Sequence, residues 1–288
     1  MTIHPTEMLD GTLTTAHFHM LSAALSFIIP LVTLLYIHRD YKTFVSLGPG
    51  GTPSTPLGYL KIKLLSLVCL RDPHRPMPVP PHFRPSRGYL STLPSRAGQR
   101  PAVRGIAPQR QQTQKSTEEV YKGLVRGLEK LARDPANQLI ERTSCFEKHS
   151  SGVFASTPIT RTCGGEVCHA HPSDGSLHMT LHPADAKIMM ESGWGERHPL
   201  ARGGWCRRFV PREFVLIYAP RNAAEIDIVM GIVAASVWWV AGIDVDKVSG
   251  DRRDSGLGVE AFARTREADA CRRCGIGSKG IEKMAGVA

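Results

Sequence analysis

The hydrophobic residues of the chain follow three patterns, and each pattern predicts a different kind of element. Residues 18–37 contain no Asp, Glu, Lys or Arg, and a helix of twenty residues spans roughly the 30 Å hydrocarbon core of a bilayer. Residues 57–70 form a shorter apolar run with Lys61 and Lys63, which is typical of a helix in the membrane interface or packed on a domain. Beyond residue 116, apolar residues recur at helical spacing or alternate as in strands.

The first run predicts one transmembrane helix at residues 17–38, after an N-terminal segment of residues 1–16. A secretory signal peptide is the alternative, but it needs a basic N-terminal region, and residues 1–16 contain neither Lys nor Arg. Arg39 and Lys42 follow the run, and positive charge marks the cytoplasmic end of a membrane helix. We therefore expect a single-pass membrane protein, in the endoplasmic reticulum, whose folded domain lies in the cytoplasm.

Residues 116–246 predict an α+β fold, a single domain with a mainly antiparallel sheet and flanking helices. A capping box, Ser-Thr-Glu-Glu at 116–119, begins the first helix of this domain. The last helix, 223–241, is apolar enough to resemble a second membrane span, but Asp227 and a cap at Asn222 favour a buried core helix. Between these helices, strands are predicted at 145–149, 152–156, 166–171, 176–182 and 213–219, and a helix at 184–192.

A histidine-rich hairpin is predicted around the Asp-Gly pair at 174–175, which lies between two alternating segments. A two-residue loop would pair His171 with His178, whereas a four-residue loop shifts the partners. With either loop, alternate side chains keep to the same face. One face then carries His169, His171, His178 and His182, and the other carries Leu177, Met179 and Leu181.

The net charge of +10 is concentrated in residues 71–115. That segment holds nine Lys or Arg, one acidic residue and nine of the 21 prolines, whereas residues 116–246 hold fourteen basic and sixteen acidic residues. A nearly neutral folded domain argues against nucleic acid as a partner. We interpret residues 39–115 as an interfacial helix and a basic, proline-rich connector, which either contacts anionic lipid headgroups or is a solvated spacer.

The remaining sequence features exclude several classes of protein. Residues 247–288 are rich in Gly, Arg and Asp and predict a disordered tail. Seven irregularly spaced cysteines do not form a disulfide framework, and zinc-like spacings at Cys163/Cys168 and Cys271/Cys274 lack a matching second pair. The absence of a Walker loop, a dinucleotide fingerprint, a Gly-x-Ser-x-Gly elbow and a His-Glu-x-x-His motif disfavours the corresponding enzymes.

The histidine face of the hairpin is the main candidate for a catalytic or binding site, because strand propensity does not explain several histidines on one face. Imidazole titrates near neutral pH, so these residues suit general bases or hydrogen-bond donors. A metal site or a merely polar sheet face are the alternatives. The candidate metal ligands are His169, His171 and His178, with Glu147, Glu166 or Asp174. Glu147 on a predicted strand, and Arg197 with His198 in a glycine-flanked loop, complete the candidate catalytic residues.

Several blocks of rare residues occur in the order found in one known family. The blocks are Arg-Asp-Tyr-Lys-Thr-Phe at 39–44, Leu-Pro-x-Arg-x-Gly-x-Arg-Pro at 93–101, Gln-Arg-Gln-x-Thr-Gln at 109–114, Phe-Glu-x-His at 146–149, the hairpin histidines with Leu177-His178, Gly-Trp-Gly-x-Arg-His-Pro-Leu-Ala at 193–201, and Tyr-Ala-Pro-Arg-Asn at 218–222. In these blocks, which run in order between residues 39 and 240, the chain resembles the fungal luciferase family.

The resemblance implies an oxygenase, and so an oxidoreductase, that acts on a small molecule. It would add O2 to a 3-hydroxy-α-pyrone such as 3-hydroxyhispidin, and an endoperoxide-like intermediate would lose CO2 to leave a caffeylpyruvate-type product. His171 or His178 would remove the enol proton, and Arg197 and His198 would stabilise the peroxide charge. The resemblance implies no added organic cofactor, so none is expected beyond O2, and a metal stays an alternative. Bioluminescence is a stricter property, because the excited product must also be shielded from quenching.

Two alternatives to this function remain open. One is a non-catalytic module that binds a small ligand at the membrane surface. The other is a metal-dependent oxygenase with His169, His171 and His178 as ligands.

Overall fold

The computed structural model describes the backbone of residues 5–81 and 83–247, and the side chains of that part from residue 17 onward. The predicted tail and the Cys271/Cys274 pair lie outside the described residues, apart from Lys247. Helix α1, Pro5–Ser46, contains the apolar run. The apolar window of this helix is fully exposed, and the helix is long and apolar enough to cross a membrane. The predicted apolar N-terminal helix is confirmed, and its crossing of a membrane stays a prediction.

Helix α1 continues past residue 38 because its last turns pack on the rest of the protein. It meets helix α2, Pro56–Ser66, where the Asp40 carboxylate accepts a hydrogen bond of 2.6 Å from the Tyr59 hydroxyl and pairs with Lys63. The rings of Tyr41 and Phe44 lie 5.5 and 6.0 Å from that of Tyr59. The second apolar run is therefore a helix that packs on the protein, one of its two predicted positions.

A six-stranded antiparallel sheet forms the centre of the domain, which confirms the α+β fold. Its strands are β3 (Leu139–Thr143), β4 (Ser151–Ala155), β5 (Glu166–Ala170), β6 (Leu177–Thr180), β7 (Gly195–Arg197) and β8 (Phe214–Ile217). The strand order is β3-β4-β5-β6-β8-β7. Three further helices belong to the domain: α3 (Glu118–Arg133), α4 (Pro183–Glu191) and α5 (Ala223–Ala241). Helices α3 and α5 pack with the apolar face of the sheet to form the core.

Helix α5 is a core helix, as its cap and its acidic residue predicted. The Asn222 side chain accepts a hydrogen bond of 3.0 Å from the Glu225 backbone N–H and so caps the first turn. The side chains of Val229, Ile232 and Val233 are fully buried in the core. More than half of its apolar window is covered by protein, in contrast to the fully exposed apolar run of α1.

The histidine hairpin has the four-residue loop, because His169 pairs with His178 and the His171 N–H donates to the Ser176 carbonyl at 2.8 Å. The predicted faces hold for His169, His171 and His178, which lie opposite the apolar core. The prediction for His182 is wrong. Strand β6 ends at Thr180, and His182 instead caps helix α4, which begins at the next residue, Pro183.

The strand predicted at 145–149 is also wrong. The chain turns between residues 144 and 150, where Lys148 has a φ of +66°, and the strand lies earlier, at Leu139–Thr143. This turn is stabilised by side chains rather than by strand pairing. The Ser144 hydroxyl oxygen accepts hydrogen bonds from the backbone N–H groups of Phe146 and Glu147, at 3.2 and 3.0 Å.

Residues 71–115 pack on the domain, in contrast to the separate connector that the proline and arginine content predicted. They contain a two-stranded antiparallel ribbon, β1 (Val103–Gly105) and β2 (Gln109–Gln111), and every side chain of β2 is buried. Asp185 of α4 accepts hydrogen bonds of 3.0 and 2.8 Å from the backbone N–H groups of Tyr89 and Leu90. Buried polar partners of this kind hold a segment that has little regular structure.

Candidate functional site

The candidate site lies on the sheet face opposite the core, where the hairpin presents three buried histidines. The ring centroids of His169, His171 and His178 are 4.7 to 5.3 Å apart. One ring nitrogen of each lies within 4.8 Å of the others. The alternation of β5 and β6 produces this cluster, because their intervening residues point into the core.

Each ring has one nitrogen fixed by a neighbouring polar group. His169 Nδ1 lies 2.6 Å from Glu166 Oε1, and that carboxylate also accepts hydrogen bonds from the Ser144 hydroxyl and the Cys145 N–H. The Ser176 hydroxyl donates to Asp174 at 2.6 Å, so its oxygen accepts from His171 Nδ1 at 2.9 Å. In both rings, therefore, Nδ1 carries the proton.

Gln109 fixes the third ring. Its amide nitrogen donates to Glu196 at 2.9 Å, so its amide oxygen faces His178 Nε2 at 3.0 Å and accepts the proton of that ring. Glu196 is held in turn by the Tyr218 hydroxyl at 3.0 Å. Neutral His178 consequently carries its lone pair on Nδ1.

These tautomers direct three nitrogen lone pairs toward one another. His178 Nδ1 lies 3.4 Å from His169 Nε2, and in neutral rings both atoms are acceptors. His171 Nε2 is buried without a hydrogen-bond partner among the described residues, 3.9 Å from Glu147 Oε2. Acceptors that face one another are relieved by a shared proton or by a bound cation, so the cluster is suited to take up either.

Burial disfavours the charged form of His171, His178 and His198. It lowers the pKa of His171 to about 4, lowers the pKa of His178 well below its usual value, and lowers the pKa of His198 to about 3. For His178, the neighbouring rings and Arg110 add to this effect. All three imidazoles are therefore available as proton acceptors or ligands at neutral pH.

An ion pair lies beside the histidines and comes from two distant segments. The Arg110 guanidinium contacts the Glu147 carboxylate, and both side chains are almost fully buried. Burial raises the pKa of Glu147, although Arg110 acts in the opposite direction. Arg110 also donates a hydrogen bond of 2.7 Å to the Pro49 carbonyl, which ties the end of α1 to the site.

Aromatic rings close the site and leave a cavity of about 240 Å³, which we call the histidine pocket. The Phe214 ring stacks on that of His178 at 5.0 Å, and Phe146 stacks on His169 at 6.3 Å. The pocket is lined by Gln109, Phe146, Glu147, His169, His178, His198, Leu200 and Phe214, among others. Its volume lies just below the roughly 300–1,000 Å³ of drug-sized ligand sites, so it suits a small planar molecule.

The structure brings five of the six candidate residues together and separates the sixth. Glu147 joins the four histidines, including His198, whose Nδ1 accepts the Leu200 N–H at 3.1 Å. Arg197 points away, because neighbouring residues of a strand face opposite sides. Its guanidinium binds the Ala201 carbonyl and lines a separate cavity of about 340 Å³ with Arg202 and Arg212.

Sequence reasoning missed Gln109, Arg110 and the two stacking phenylalanines. Gln109 and Arg110 lie in the segment interpreted as a connector, where only the family-like block at 109–114 marked them. The cysteine pair with zinc-like spacing, Cys163 and Cys168, does not join the histidines. Cys168 points into the core, and Cys163 lies beside Cys145, whose thiol donates to its carbonyl at 3.2 Å.

Comparison with known proteins identifies the family. The Luciferase domain family matches residues 164–236. The luciferase of Neonothopanus nambi is 32% identical over 228 residues, which cover 74% of this chain and 84% of that protein. The chain belongs to the fungal luciferase family. Two further relatives, the luciferases of Armillaria mellea and Armillaria ostoyae, are 31% and 32% identical to this luciferase-family chain and are covered over 84% and 82% of their lengths.

The luciferase domain match contains the hairpin, β7 and His198, whereas Gln109, Arg110 and Glu147 precede it. The longer alignments with whole luciferases cover about three quarters of the chain. Membership in this family supports a luciferase-like oxygenase function. No solved structure matches the chain significantly.

Proposed function

We propose that this luciferase-family protein is a membrane-anchored oxygenase that adds O2 to a 3-hydroxy-α-pyrone of the 3-hydroxyhispidin type and releases CO2. The observation that carries the proposal is the convergence of three buried imidazoles beside a small aromatic-walled pocket, which His169 and His178 line and behind which His171 is buried. Family membership supports the reaction class. The anchor is the exposed apolar run of α1, and the endoplasmic reticulum with a cytoplasmic domain is our expectation for its location.

His171 is the proposed base. Its Nε2 is the buried acceptor without a partner, and Ser176 and Asp174 stand behind Nδ1 to stabilise the imidazolium that forms. A neutral imidazole with a low pKa is a weak base in the empty site. The enolate that forms beside it compensates the new positive charge, and so the transfer becomes favourable only when the substrate is bound.

The enolate is electron-rich enough to reduce O2 without an organic cofactor. It donates an electron pair in two steps to O2, and a carbon–oxygen bond forms to give a peroxide. Closure of this peroxide on the lactone carbonyl, followed by cleavage of the O–O bond and of the bond to the carboxyl carbon, releases CO2. All oxygen atoms of O2 and of the pyrone are then found in the product and CO2, and no external reductant is consumed.

Arg110 takes the place that the sequence suggested for Arg197. It is the buried cation beside the histidines, so its charge stabilises the enolate and peroxide as they develop. We assign His198 to the same role of stabilising the developing negative charge, because its ring lies 5.3 Å from that of His178. Light emission is a further property of the product, and the aromatic walls of Phe146 and Phe214 would favour it by shielding the excited product from water.

A metal-dependent oxygenase is the second candidate, because three lone pairs also form a ligand set. His169, His171 and His178 would hold the ion, and Glu166, Ser176 and Gln109 orient the rings as the outer partners of metal-bound histidines do. Such an ion would activate the bound substrate or O2. A non-catalytic ligand-binding module in the same pocket is the remaining alternative.

The test uses the full chain in microsomes supplied with 3-hydroxyhispidin, with and without O2, and mass spectrometry of the product. Wild type should consume substrate only with O2, with one CO2 lost per turnover. His171→Ala should lower turnover by about 10²- to 10⁴-fold. The control is His149→Ala, which removes an exposed histidine two residues from Glu147 and should leave turnover unchanged.

Three outcomes would contradict the proposal in different ways. Full turnover in His171→Ala would exclude this residue as the base. Stoichiometric iron or copper in the purified chain, with activity lost on chelation and restored by the metal, would establish the second candidate. Tight binding of the pyrone by folded protein without O2 uptake would establish the binding module.

A further inference from the structure

An apolar stripe on α2 is left exposed by the part of the chain that the structure describes. Helix α2 buries Gly58, Ile62 and Leu65 against the protein. On the opposite side it exposes four leucines, which lie within about 80° of one another at the helical repeat. This leucine stripe consists of Leu57, Leu60, Leu64 and Leu67, which are 53 to 79% exposed.

Lysines flank the leucine stripe on both sides, as in helices that lie on a membrane. At about 100° per residue, Lys61 falls on one side of the stripe and Lys63 on the other. Long basic side chains in these positions extend toward lipid headgroups while leucines enter the acyl boundary. Lys61 is exposed, and Lys63 already pairs with Asp40 at the end of the apolar run of α1.

The position of α2 along α1 places the stripe at the level of the bilayer surface. Asp40, which holds Tyr59 and Lys63, lies three residues beyond Ile37, the last residue of the apolar run, or about 4.5 Å along the helix axis. If α1 crosses the membrane, α2 cannot be far from the headgroups. The leucine stripe would otherwise meet water in that position.

A second element carries the same chemistry. The short 3₁₀ helix Gly204–Arg208 exposes Trp205, the one exposed tryptophan of the four in the chain, at 55%. The Arg208 guanidinium lies 4.6 Å from its ring, and Arg207 is exposed beside it. Tryptophan and arginine together are typical of the membrane interface, where the ring is half-immersed and the cation meets anionic lipid.

Both elements border the histidine pocket. Lys61 and Leu65 of α2 and Arg208 and Phe209 at the 3₁₀ helix line this pocket together with His169, His178 and His198. Lys61 lies on α2 between the leucine stripe and the buried face. The exposed side chains of Lys61 and Arg208 therefore connect the lining of the pocket to the surface that α2 and Trp205 present.

We propose that the leucine stripe and Trp205 dock on an anionic bilayer surface, so that the histidine pocket opens at the headgroup level and takes its small amphipathic substrate from the lipid phase. This inference rests on the proposed membrane anchor and, for the substrate, on the proposed function. Docking itself does not depend on catalysis, so an experiment can contradict the docking proposal without contradicting the proposed function, and the reverse.

The test measures tryptophan fluorescence of the full chain in nanodiscs that contain phosphatidylserine and phosphatidylcholine brominated near the headgroup end of the acyl chain. Bromine quenches only tryptophans close to the lipid. We expect marked quenching in wild type, most of which is lost in Trp205→Phe and in the double variant Leu60→Glu/Leu64→Glu. The control is Ile140→Glu, which places a single Glu at an exposed apolar position of the edge strand β3.

A second readout concerns substrate delivery. When 3-hydroxyhispidin is supplied in vesicles, Leu60→Glu/Leu64→Glu should raise KM several-fold more than Ile140→Glu does, with similar kcat. Equal quenching in wild type and Trp205→Phe, or quenching unaffected by the leucine changes, would overturn the proposal. If the leucine changes instead dissociate a dimer in detergent while quenching persists, a second copy of the chain covers the stripe and the proposal is wrong.

Discussion

The two faces of the six-stranded sheet are built from alternate residues of the same strands, yet they are stabilised differently. On the core face, Cys168, Ala170, Leu177 and Met179 pack against helices α3 and α5. These contacts are apolar and have no required direction, so any side chain of suitable volume on a neighbouring helix satisfies them. The pattern of hydrophobic residues in the sequence is therefore largely sufficient to specify which side chains form the core face.

On the histidine face the buried polar side chains are held in place by specific partners. His169 depends on Glu166, whereas His178 depends on Gln109, 69 residues away in the chain. Glu147 depends on Arg110 in the same way. One pair of strands can therefore form part of an apolar core that tolerates substitution and part of a polar site that does not. Substitutions on the two faces should lower stability for different physical reasons.

The largest loss of stability is expected on the histidine face, from Arg110→Met. This change leaves the buried Glu147 carboxylate without its cation, which should lower the free energy of unfolding by about 3–5 kcal/mol at pH 8. The loss should be smaller at pH 5.5, because burial raises the pKa of Glu147 and a falling pH therefore favours the protonated, uncharged carboxyl. Chemical denaturation of the chain in nanodiscs measures it. Two results would contradict this account. One is a loss of stability that is the same at both pH values, and the other is an equal loss when Arg110→Met is combined with Glu147→Gln.

On the core face, Leu177→Ala should cost about 2–5 kcal/mol, because it removes a fully buried side chain and leaves a cavity. In contrast to the first variant, the loss should not depend on pH. Ile140→Ala provides the control, since Ile140 is 40% exposed on strand β3 and should change stability by less than about 1 kcal/mol. Equal losses in the two variants would mean that burial does not distinguish these positions.

The same contrast explains how much could be predicted from the sequence. Alternation placed Leu177 and Met179 opposite His169, His171 and His178, because a strand has a fixed period. It failed for His182, because it does not show where a strand ends, and Pro183 starts a helix at that point.

Long-range polar partners could not be predicted in this way. Periodicity contains no information about Gln109 and Arg110, which reach the site from a proline-rich segment without a hydrophobic pattern. Arg197 was assigned to the pocket because it precedes His198, yet adjacency in a strand places the two on opposite sides. Only the family-like block at 109–114 pointed to the missing residues.

An intermediate effect is expected in the pH dependence of stability. Burial lowers the pKa of His171 to about 4, below the value near 6.5 of an unfolded histidine, so the unfolded chain binds the extra proton. The contribution of neutral His171 to the free energy of unfolding is therefore complete above pH 6.5 and is lost as the pH falls toward 4. In His171→Gln, the fall in stability over this window should be smaller by about 3 kcal/mol than in wild type. Leu177→Ala should keep the wild-type slope, and a wild-type slope in His171→Gln would refute the assignment.

The smallest effects come from a matched pair of hydrogen bonds, one for each face. Asn222→Ala removes the cap of α5, the helix that covers the core face, and Ser176→Ala removes the hydroxyl between Asp174 and His171. Each should lower the free energy of unfolding by about 1 kcal/mol. Only Ser176→Ala should also reduce pyrone turnover and shift its pH profile, because Ser176 sets which nitrogen of His171 accepts the proton. Equal turnover in the two variants would show that His171 does not need this tautomer. The hydrogen bonds of both faces would then contribute to stability alone.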